Sequence, residues 1–234
     1  MYFSVVLSQD FSRIDNQINN KNFRDAQLML SDLNVEFPKN IDILTRLSIV
    51  HHFISESAKS NSSEQKNSSK AFEYINDAYN IDPNNPKVLK WYVISLGKTV
   101  ENKSIRKQIE ESKNIEKISL AVIKDLPHDE YCYNILGQWH YRLADLNGPS
   151  RRIASFLFSD PPEGSFEKAK FFLEQSIKIN PEYIGTYYWL GKTYIKLGDT
   201  KKANELFRKG IVLERPFKRE EEIFVKMNNF LKNN

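Results

Sequence analysis

The sequence predicts an all-α fold in which helix pairs repeat and stack into a superhelix, and three observations support this prediction. Five prolines recur along the chain, with similar small and apolar residues at fixed distances from them: Pro38, Pro83, Pro127, Pro181 and Pro216. Each strongly periodic segment has its apolar residues three and four positions apart, as on one helix face. Only residues 2–7 have the composition of a strand, and that segment is too short to shape the architecture.

The recurring positions indicate how paired helices fit together. Twelve residues before the first four prolines, three positions hold alanine and one holds isoleucine: Ala26, Ala71, Ile115 and Ala169. Nine residues after the same prolines, the positions are large and apolar: Leu47, Tyr92, Leu136 and Leu190. A small residue lets two helices approach closely, and a large one fills the space between them. Proline ends the second helix because it cannot donate the next backbone hydrogen bond.

The last repeat resembles a tetratricopeptide repeat, a helix–turn–helix unit of about 34 residues. Its characteristic positions are Tyr187, Leu190, Gly191, Tyr194, Gly198, Ala203, Phe207 and Gly210, followed by Pro216. The proline spacings of 45, 44, 54 and 35 residues therefore imply insertions of about ten, ten and twenty residues. We expect the first, residues 60–70, to be a flexible polar loop and the second, near residues 101–108, to lengthen helices. The third, residues 145–165, is the insertion of about 20 residues in the third unit, counted by the intervals between prolines from Pro38.

The repeat pattern divides the chain into a series of helices within one domain. The predicted helices are 11–20, 22–36, 40–58, 70–80, 86–99, 104–125, 129–144, 165–179, 183–197, 200–213 and 218–231. We expect a single helical-repeat domain over residues 1–234. Its units lie at about 10–38, 40–83, 85–127, 129–181 and 183–216, with a closing helix at 218–231.

Composition restricts the class of protein. A single cysteine, Cys132, rules out an internal disulfide framework and favours a reducing compartment. We find no secretory signal and no apolar run long enough to span a bilayer, so the expected location is cytoplasmic. The net charge is +4, and residues 184–234 alone hold 11 basic and 6 acidic side chains. Basic outer helix faces at this end would attract an acidic partner, although such residues also serve as ordinary solubilising groups.

Motifs around the third insertion resemble the regulator of microtubule dynamics family. They are the run from Leu136 to Tyr141, the segment from Arg151 to Phe158, Pro161-Pro162 and the helix start Ser165 to Ala169. Lys90-Trp91-Tyr92, Lys107-Gln108-Ile109 and the run from Leu190 to Tyr194 also resemble family motifs. The likeness covers about residues 20–215. Gln138 and His140 depart from it, because the family commonly has a basic residue and a cysteine there.

This resemblance implies association with microtubules and a role at the mitotic spindle, hence a cytoskeletal location. Membrane-anchored members of the family also act in organelle tethering and lipid handling, so a lipid-binding or lipid-transfer module is the alternative. The chain starts almost at its repeats, and we expect the short form without a membrane anchor, or a trimmed domain. The expected partners are therefore tubulin or another protein, or a phospholipid; no nucleic acid is expected.

Two sets of residues are candidate binding sites. The first lies in the third insertion: Arg151, Arg152, Phe156 and Phe158. If this segment is helical, Ile153, Phe156 and Leu157 share one face, which either packs on the superhelix or covers a partner-binding groove. The second set is predicted to line the concave groove: Ile49, Trp91, Ile94, Ile135 and Tyr188. An apolar groove is unfavourable in water, so the insertion or an apolar ligand should cover it.

No set of residues predicts an enzyme, a metal site or a cofactor. Cys132 and His140 are eight positions apart on one predicted helix, too far for a nucleophile to donate a hydrogen bond to its base. Cys132 is therefore expected in the core. The histidines lack companions at metal-ligand spacing, and the glycines occur singly rather than in a phosphate-binding loop.

Overall fold

The structure, a computed structural model, describes residues 10–101, 103–159 and 161–233. Twelve α-helices occur in these ranges: α1 Ser12–Asn19, α2 Phe23–Glu36, α3 Ile41–Glu56, α4 Asn61–Ile81, α5 Pro86–Glu101, α6 Ile105–Asp125, α7 Glu130–Ala144, α8 Gly148–Leu157, α9 Phe166–Ile179, α10 Ile184–Lys196, α11 Thr200–Gly210 and α12 Lys218–Lys232. No strand occurs among the described residues, which confirms the all-α prediction. The possible strand at residues 2–7 lies outside the described ranges.

Two layers of helices follow from the contacts between elements. One layer, which we call the inner row, consists of α3, α5, α7, α10 and α12, each in contact with the next. The partner helices α4, α6, α9 and α11 pack behind the row, each between two consecutive inner helices. No described helix is both long enough and apolar enough to cross a membrane.

Close helix contacts occur where the sequence places small residues. A Cβ atom on Gly191 would lie 2.2 Å from the ring of Phe207, and one on Gly137 would lie 2.4 Å from Leu173. Only glycine therefore fits at these crossings of α10 with α11 and of α7 with α9. Gly198 has a φ of +85°, the left-handed conformation that lets the chain turn between α10 and α11.

Polar N-cap side chains precede most helices of the inner row and most of their partner helices. The N-cap side chain accepts a backbone hydrogen bond from the first turn of seven helices: Asn40, Ser60, Ser104, Asp129, Asn147, Ser165 and Asp199. These bonds satisfy N–H groups that have no partner within the helix. The helices before the first four recurring prolines all end two residues before the proline, which confirms the prediction that proline ends them.

Residues 60–70 were predicted as a flexible loop, and this prediction is wrong. Ser60 instead caps α4, whose first three turns are polar. Three contacts hold them in place: Asn67 lies 2.9 Å from the ring of His51, Ser55 donates to the Glu64 carbonyl at 2.9 Å, and Lys98 pairs with Glu64. The segment lacks an apolar face, so periodicity gave no signal of a helix fixed by polar contacts.

The third insertion contains the additional helix α8, which packs on α6. Its buried residues are Ser150 and Ala154. The prediction that Phe156 shares the packing face is wrong, because its side chain is 81% exposed. The helix is therefore buried through two small residues, and its one aromatic ring lies in solvent.

Candidate functional site: the inner row and its carboxyl-terminal clasp

One aromatic ring per unit lies along the inner row. Ring centroids are 6.1 Å apart for Phe53 and Trp91, 6.3 Å for Trp91 and Tyr131, and 6.0 Å for Tyr131 and Tyr183. His52 lies edge-on to Trp91 at 5.6 Å. The rings come from α3, α5, α7 and the N-cap of α10, so four successive inner helices supply one ring each.

A row of charged residues lies further along the same helices. It begins seven positions after three of the predicted groove residues: Glu56 after Ile49, Glu101 after Ile94, and Arg142 after Ile135. Residues seven apart share a helix face, so the charges continue the same surface. The Lys98 ammonium contacts Glu56 at 2.7 Å and Glu64 at 2.9 Å, and Arg142 donates to Glu101 at 3.0 Å. The inner row is therefore apolar at one end of its helices and ionic at the other.

The chain returns to its first units through residues 217–219, which we call the carboxyl-terminal clasp. The Phe217 ring stacks on Phe53 at 5.6 Å and contacts Phe23 at 6.4 Å. Two guanidinium nitrogens of Arg219 donate to the two Glu101 oxygens at 2.8 and 3.0 Å. A paired geometry of this kind fixes orientation as well as charge. The start of α12 is thereby tied to α3 and α5.

Opposing effects set the protonation of the ionic residues. Burial raises the pKa of Glu101, but the charges of Arg219 and Arg142 outweigh it and hold the pKa below its usual value. Burial likewise opposes ionisation of Glu56, and His52 and Lys98 together reverse that effect and lower its pKa. Both carboxylates are therefore charged at neutral pH.

The pKa values of the neighbouring titratable groups are shifted away from pH 7. Burial lowers the pKa of His52 to about 4, although Glu56 opposes the shift. Burial also raises the pKa of Tyr183 to about 12 and that of the Cys132 thiol well above its usual value. At neutral pH these three groups are uncharged. An acid–base catalyst works best with a pKa near the working pH, which none of them has.

Two cavities open on the inner row. The first, of about 210 Å³, lies between α5, α6 and α7 and is walled largely by aliphatic side chains: Ile94, Val100, Ile109, Ile115, Ile135, Leu143 and Leu146. The second, of about 360 Å³, is more polar and lies between α3, α5, α7, α10 and α12. Glu56, Lys98, Glu101, Arg142 and Arg219 line both cavities. The ionic row therefore forms a common wall between an apolar and a polar compartment.

The predicted groove residues divide between these compartments. Ile94 and Ile135 line the first cavity, and Tyr188 lines the second. Trp91 belongs to the row of rings, and Ile49 is half-buried one turn before Phe53 on α3. The assignment of all five to a ligand site stays a prediction. The sequence analysis did not predict the row of charged residues. The signal was present, because Glu56, Glu101 and Arg142 each follow a predicted groove residue by seven positions.

The predicted residues of the insertion lie apart from both cavities. Arg151 donates to the carbonyls of Leu146 and Ala144 at 2.9 and 3.0 Å, and Arg152 is exposed. Lys113 lies 4.8 Å from the Phe158 ring centroid. Neither cavity has a wall residue from α8, so α8 does not cover them as a lid would. Whether this segment binds a partner stays a prediction.

The remaining chemical candidates are structural. Cys132 is fully buried in the core cluster between α5, α6 and α7, as predicted. His140 is also buried, and its ring stacks on Phe172 at 5.5 Å. The part of the chain that the structure describes contains no group of three or more potential metal ligands.

Comparison with known proteins assigns this arrangement to a family. The profile of the family "regulator of microtubule dynamics protein 1-3" matches residues 10–234. The chain belongs to this family. The match includes every element of the inner row and the clasp.

Curated relatives agree with this assignment. Regulator of microtubule dynamics protein 1 from Homo sapiens is 31% identical over 134 residues, 57% of this chain and 43% of that protein. The Pongo abelii protein of the same name is 28% identical over 167 residues, 70% of this chain and 53% of its own length. The chain thus spans about half the length of these mammalian relatives.

Solved structures support the fold. The thermophilic TPR protein TTC0263 of Thermus thermophilus superposes with a TM-score of 0.52 at 14% identity, over 82% of this chain and 83% of that one. A Pseudomonas aeruginosa pilF structure gives a TM-score of 0.55 at 14% identity, over 95% and 83% of the two chains. At this identity the likeness concerns the fold, which is a tetratricopeptide-like helical repeat as predicted.

Proposed function

We propose that this chain is a non-enzymatic scaffold that contributes to microtubule regulation by binding an acidic segment of a protein partner. The observation that carries the proposal is the family match over residues 10–234. The acidic carboxyl-terminal tails of tubulin are the proposed segment, and the cytoplasm, at the cytoskeleton or spindle, is the proposed location. The excess of basic side chains in residues 184–234 supports the charge complementarity.

The structure also supports a binding role rather than catalysis. His52, Tyr183 and Cys132 are held in their neutral forms, whereas the half-buried carboxylates and cations beside them are paired with one another. Groups arranged in this way fix a surface in shape and charge. A surface of this kind suits recognition of a charged partner.

Co-sedimentation with taxol-stabilised microtubules tests this proposal. We expect binding at low ionic strength that weakens as salt rises, because exposed charge pairs are screened over about 10 Å at 0.1 M salt. Microtubules whose acidic tails have been removed by limited proteolysis are the matched control and should retain much less protein. Absence of binding to intact microtubules at low salt would contradict the proposal.

The first cavity favours a second candidate, the binding of a lipid acyl chain. Its walls are largely aliphatic and include charged side chains on one side, as an amphipathic ligand requires. Its volume of about 210 Å³ is below the roughly 300–1,000 Å³ of typical ligand pockets, so it would hold part of one chain. Native mass spectrometry of the gently purified protein should then show a bound lipid. The mass of the bare protein alone would count against this candidate, and Ile135→Trp, which fills the cavity, should remove any such ligand.

A further inference from the structure

The second cavity has an unbalanced set of charges. Every carboxylate in its wall has a cationic partner: Glu56 and Glu64 have Lys98, Glu101 has Arg142 and Arg219, and Glu222 has Lys218. Lys226 on α12 also lines the cavity, and it makes no ion pair with any described residue. The wall therefore carries one positive charge that the protein does not neutralise.

Lys192 on α10 adds a second positive charge beside the same wall. Its ammonium lies 4.7 Å from the ring centroid of Tyr141, 4.8 Å from that of Trp189 and 5.6 Å from that of Tyr188. Trp189 and Tyr188 line the second cavity. Within the described ranges Lys192 makes no ion pair, and three aromatic rings contact its ammonium.

Several cations converge around these rings. The Arg142 guanidinium carbon lies 5.1 Å from the ring of Trp189, so Lys192 and Arg142 share one aromatic ring. Burial lowers the pKa of Lys192; Asp145 opposes the shift, and Arg142, Lys196 and Lys226 reinforce it. Asp145 is itself paired with Lys196 at 2.6 Å. Crowded like charges that lack a counter-ion are relieved when an anion binds between them.

We propose that Lys192 and Lys226 form an anion site that binds a glutamate or aspartate side chain of an extended partner segment lying in the second cavity. The inference rests on the proposed function and deepens it, because it assigns the acidic segment to the inner row instead of to the outer helix faces. α10 and α12 supply one lysine each and contact each other. The proposal requires one carboxylate that accepts a hydrogen bond from each of the two ammonium groups.

The character of the cavity wall selects a peptide over other anions. Ser55, Glu64 and Glu222 provide hydrogen-bond acceptors for the backbone N–H groups of an extended chain. An acyl chain would gain little in this charged compartment, because it would desolvate the ion pairs that line it. The faces of Trp189 and Tyr188 already hold cations, so they are not free to stack on nucleic-acid bases.

Fluorescence anisotropy of a labelled oligoglutamate peptide with the full chain tests the site. We expect Lys192→Gln with Lys226→Gln to weaken binding about 100-fold or more, since each lost charge-assisted hydrogen bond lowers the affinity about tenfold or more. The matched control is Lys201→Gln with Lys209→Gln, which removes two exposed positive charges from the outer helix α11. This control should keep the affinity within about threefold of the wild type at 0.15 M salt.

Further variants separate the site from general effects. Lys226 is exposed, so Lys226→Gln alone should preserve the fold and still weaken the peptide complex. Lys192→Arg keeps the charge and should retain most of the affinity. Equal losses in the inner and outer double variants, no loss in the inner variant, or no binding of oligoglutamate by the wild type would each overturn the proposal. The microtubule experiment tests the proposed function separately. If the chain co-sediments with microtubules but binds no oligoglutamate, the anion site is wrong and the proposed function stands.

Discussion

At the residue scale, two glycines on inner helices occupy opposite environments. Gly191 faces the ring of Phe207, which is 2% exposed and cannot move aside easily. Gly97 on α5 has no atom within 4 Å of where a Cβ would lie. Only the first glycine is required by packing, although both are single glycines within a helix.

The same substitution should therefore change stability in opposite directions at these positions. Gly191→Ala should lower the free energy of unfolding by about 1–3 kcal/mol, the usual cost of overpacking a core. Gly97→Ala, the matched control, should raise it by about 0.5–1 kcal/mol, because alanine loses less backbone entropy in a helix. Urea denaturation measures both values. A stabilised Gly191→Ala variant would contradict the helix spacing described above.

A second residue-scale prediction concerns pH. Burial lowers the pKa of His140 to about 4 in the folded protein, whereas an unfolded histidine titrates near pH 6.5. The unfolded state then binds more protons below pH 6.5, so the folded state loses stability as pH falls from 6.5 towards 4. Replacing His140 with Gln should reduce this slope by about 1.4 kcal/mol per pH unit. The same substitution at the exposed His128 is the matched control.

At the element scale, the chain shows which helices can be predicted from local sequence. Repeating apolar positions were sufficient for the helices of the inner row and for most of their partners. The polar first half of α4 was missed because long-range contacts hold it, among them the ion pair between Glu64 and Lys98. α8 was considered only as a conditional helix, and its packing face was not predicted, since its buried residues are the small Ser150 and Ala154.

The exposed ring on α8 gives an element-scale test. Phe156→Ser should change the free energy of unfolding by less than about 0.5 kcal/mol, as surface substitutions usually do. If α8 contributes to partner binding, the variant should also reduce co-sedimentation with microtubules. Val212→Ser is a suitable control, because Val212 is similarly exposed (80%) outside the insertion. Equal co-sedimentation of both variants and the wild type would remove Phe156 from the binding surface.

At the scale of the whole molecule, the clasp joins the end of the chain to its beginning. Arg219 and Glu101 are 118 residues apart, and a contact of that separation leaves no periodic signal in the sequence. The repeat pattern accordingly predicted the stacked helices and the apolar half of the inner row, but not its closure or its ionic half. The closing helix is present where the sequence predicts it. Phe217 and Arg219 at its start also contact α3 and α5.

Breaking the clasp should have a pH-dependent effect. Arg219→Met should lower the free energy of unfolding at pH 7 by about 1.5–3 kcal/mol, because Glu101 loses two charge-assisted hydrogen bonds and keeps only Arg142 as a partner among the described residues. The folded-state pKa of Glu101 is depressed, so this stabilisation is complete above the unfolded pKa and disappears as pH falls through the folded value. The difference between variant and wild type should therefore shrink below about pH 4.

Urea titrations at pH 7 and below about pH 4 measure this difference. Adding Glu101→Gln and the double variant Arg219→Met/Glu101→Gln completes a thermodynamic cycle. A coupling energy near zero at pH 7 would show that Arg219 and Glu101 do not stabilise each other. Lys232→Met removes a basic residue from the exposed end of the same helix and is the control.

The clasp also has a consequence for biosynthesis. A ribosome releases the amino-terminal helices first, yet Phe23 and Phe53 remain without their third stacking ring until Phe217 has left the exit tunnel. The nascent chain therefore presents an open aromatic surface during most of its translation. Premature termination before Phe217 should yield fragments that chaperones retain and proteases remove, even though most of the repeats are already complete.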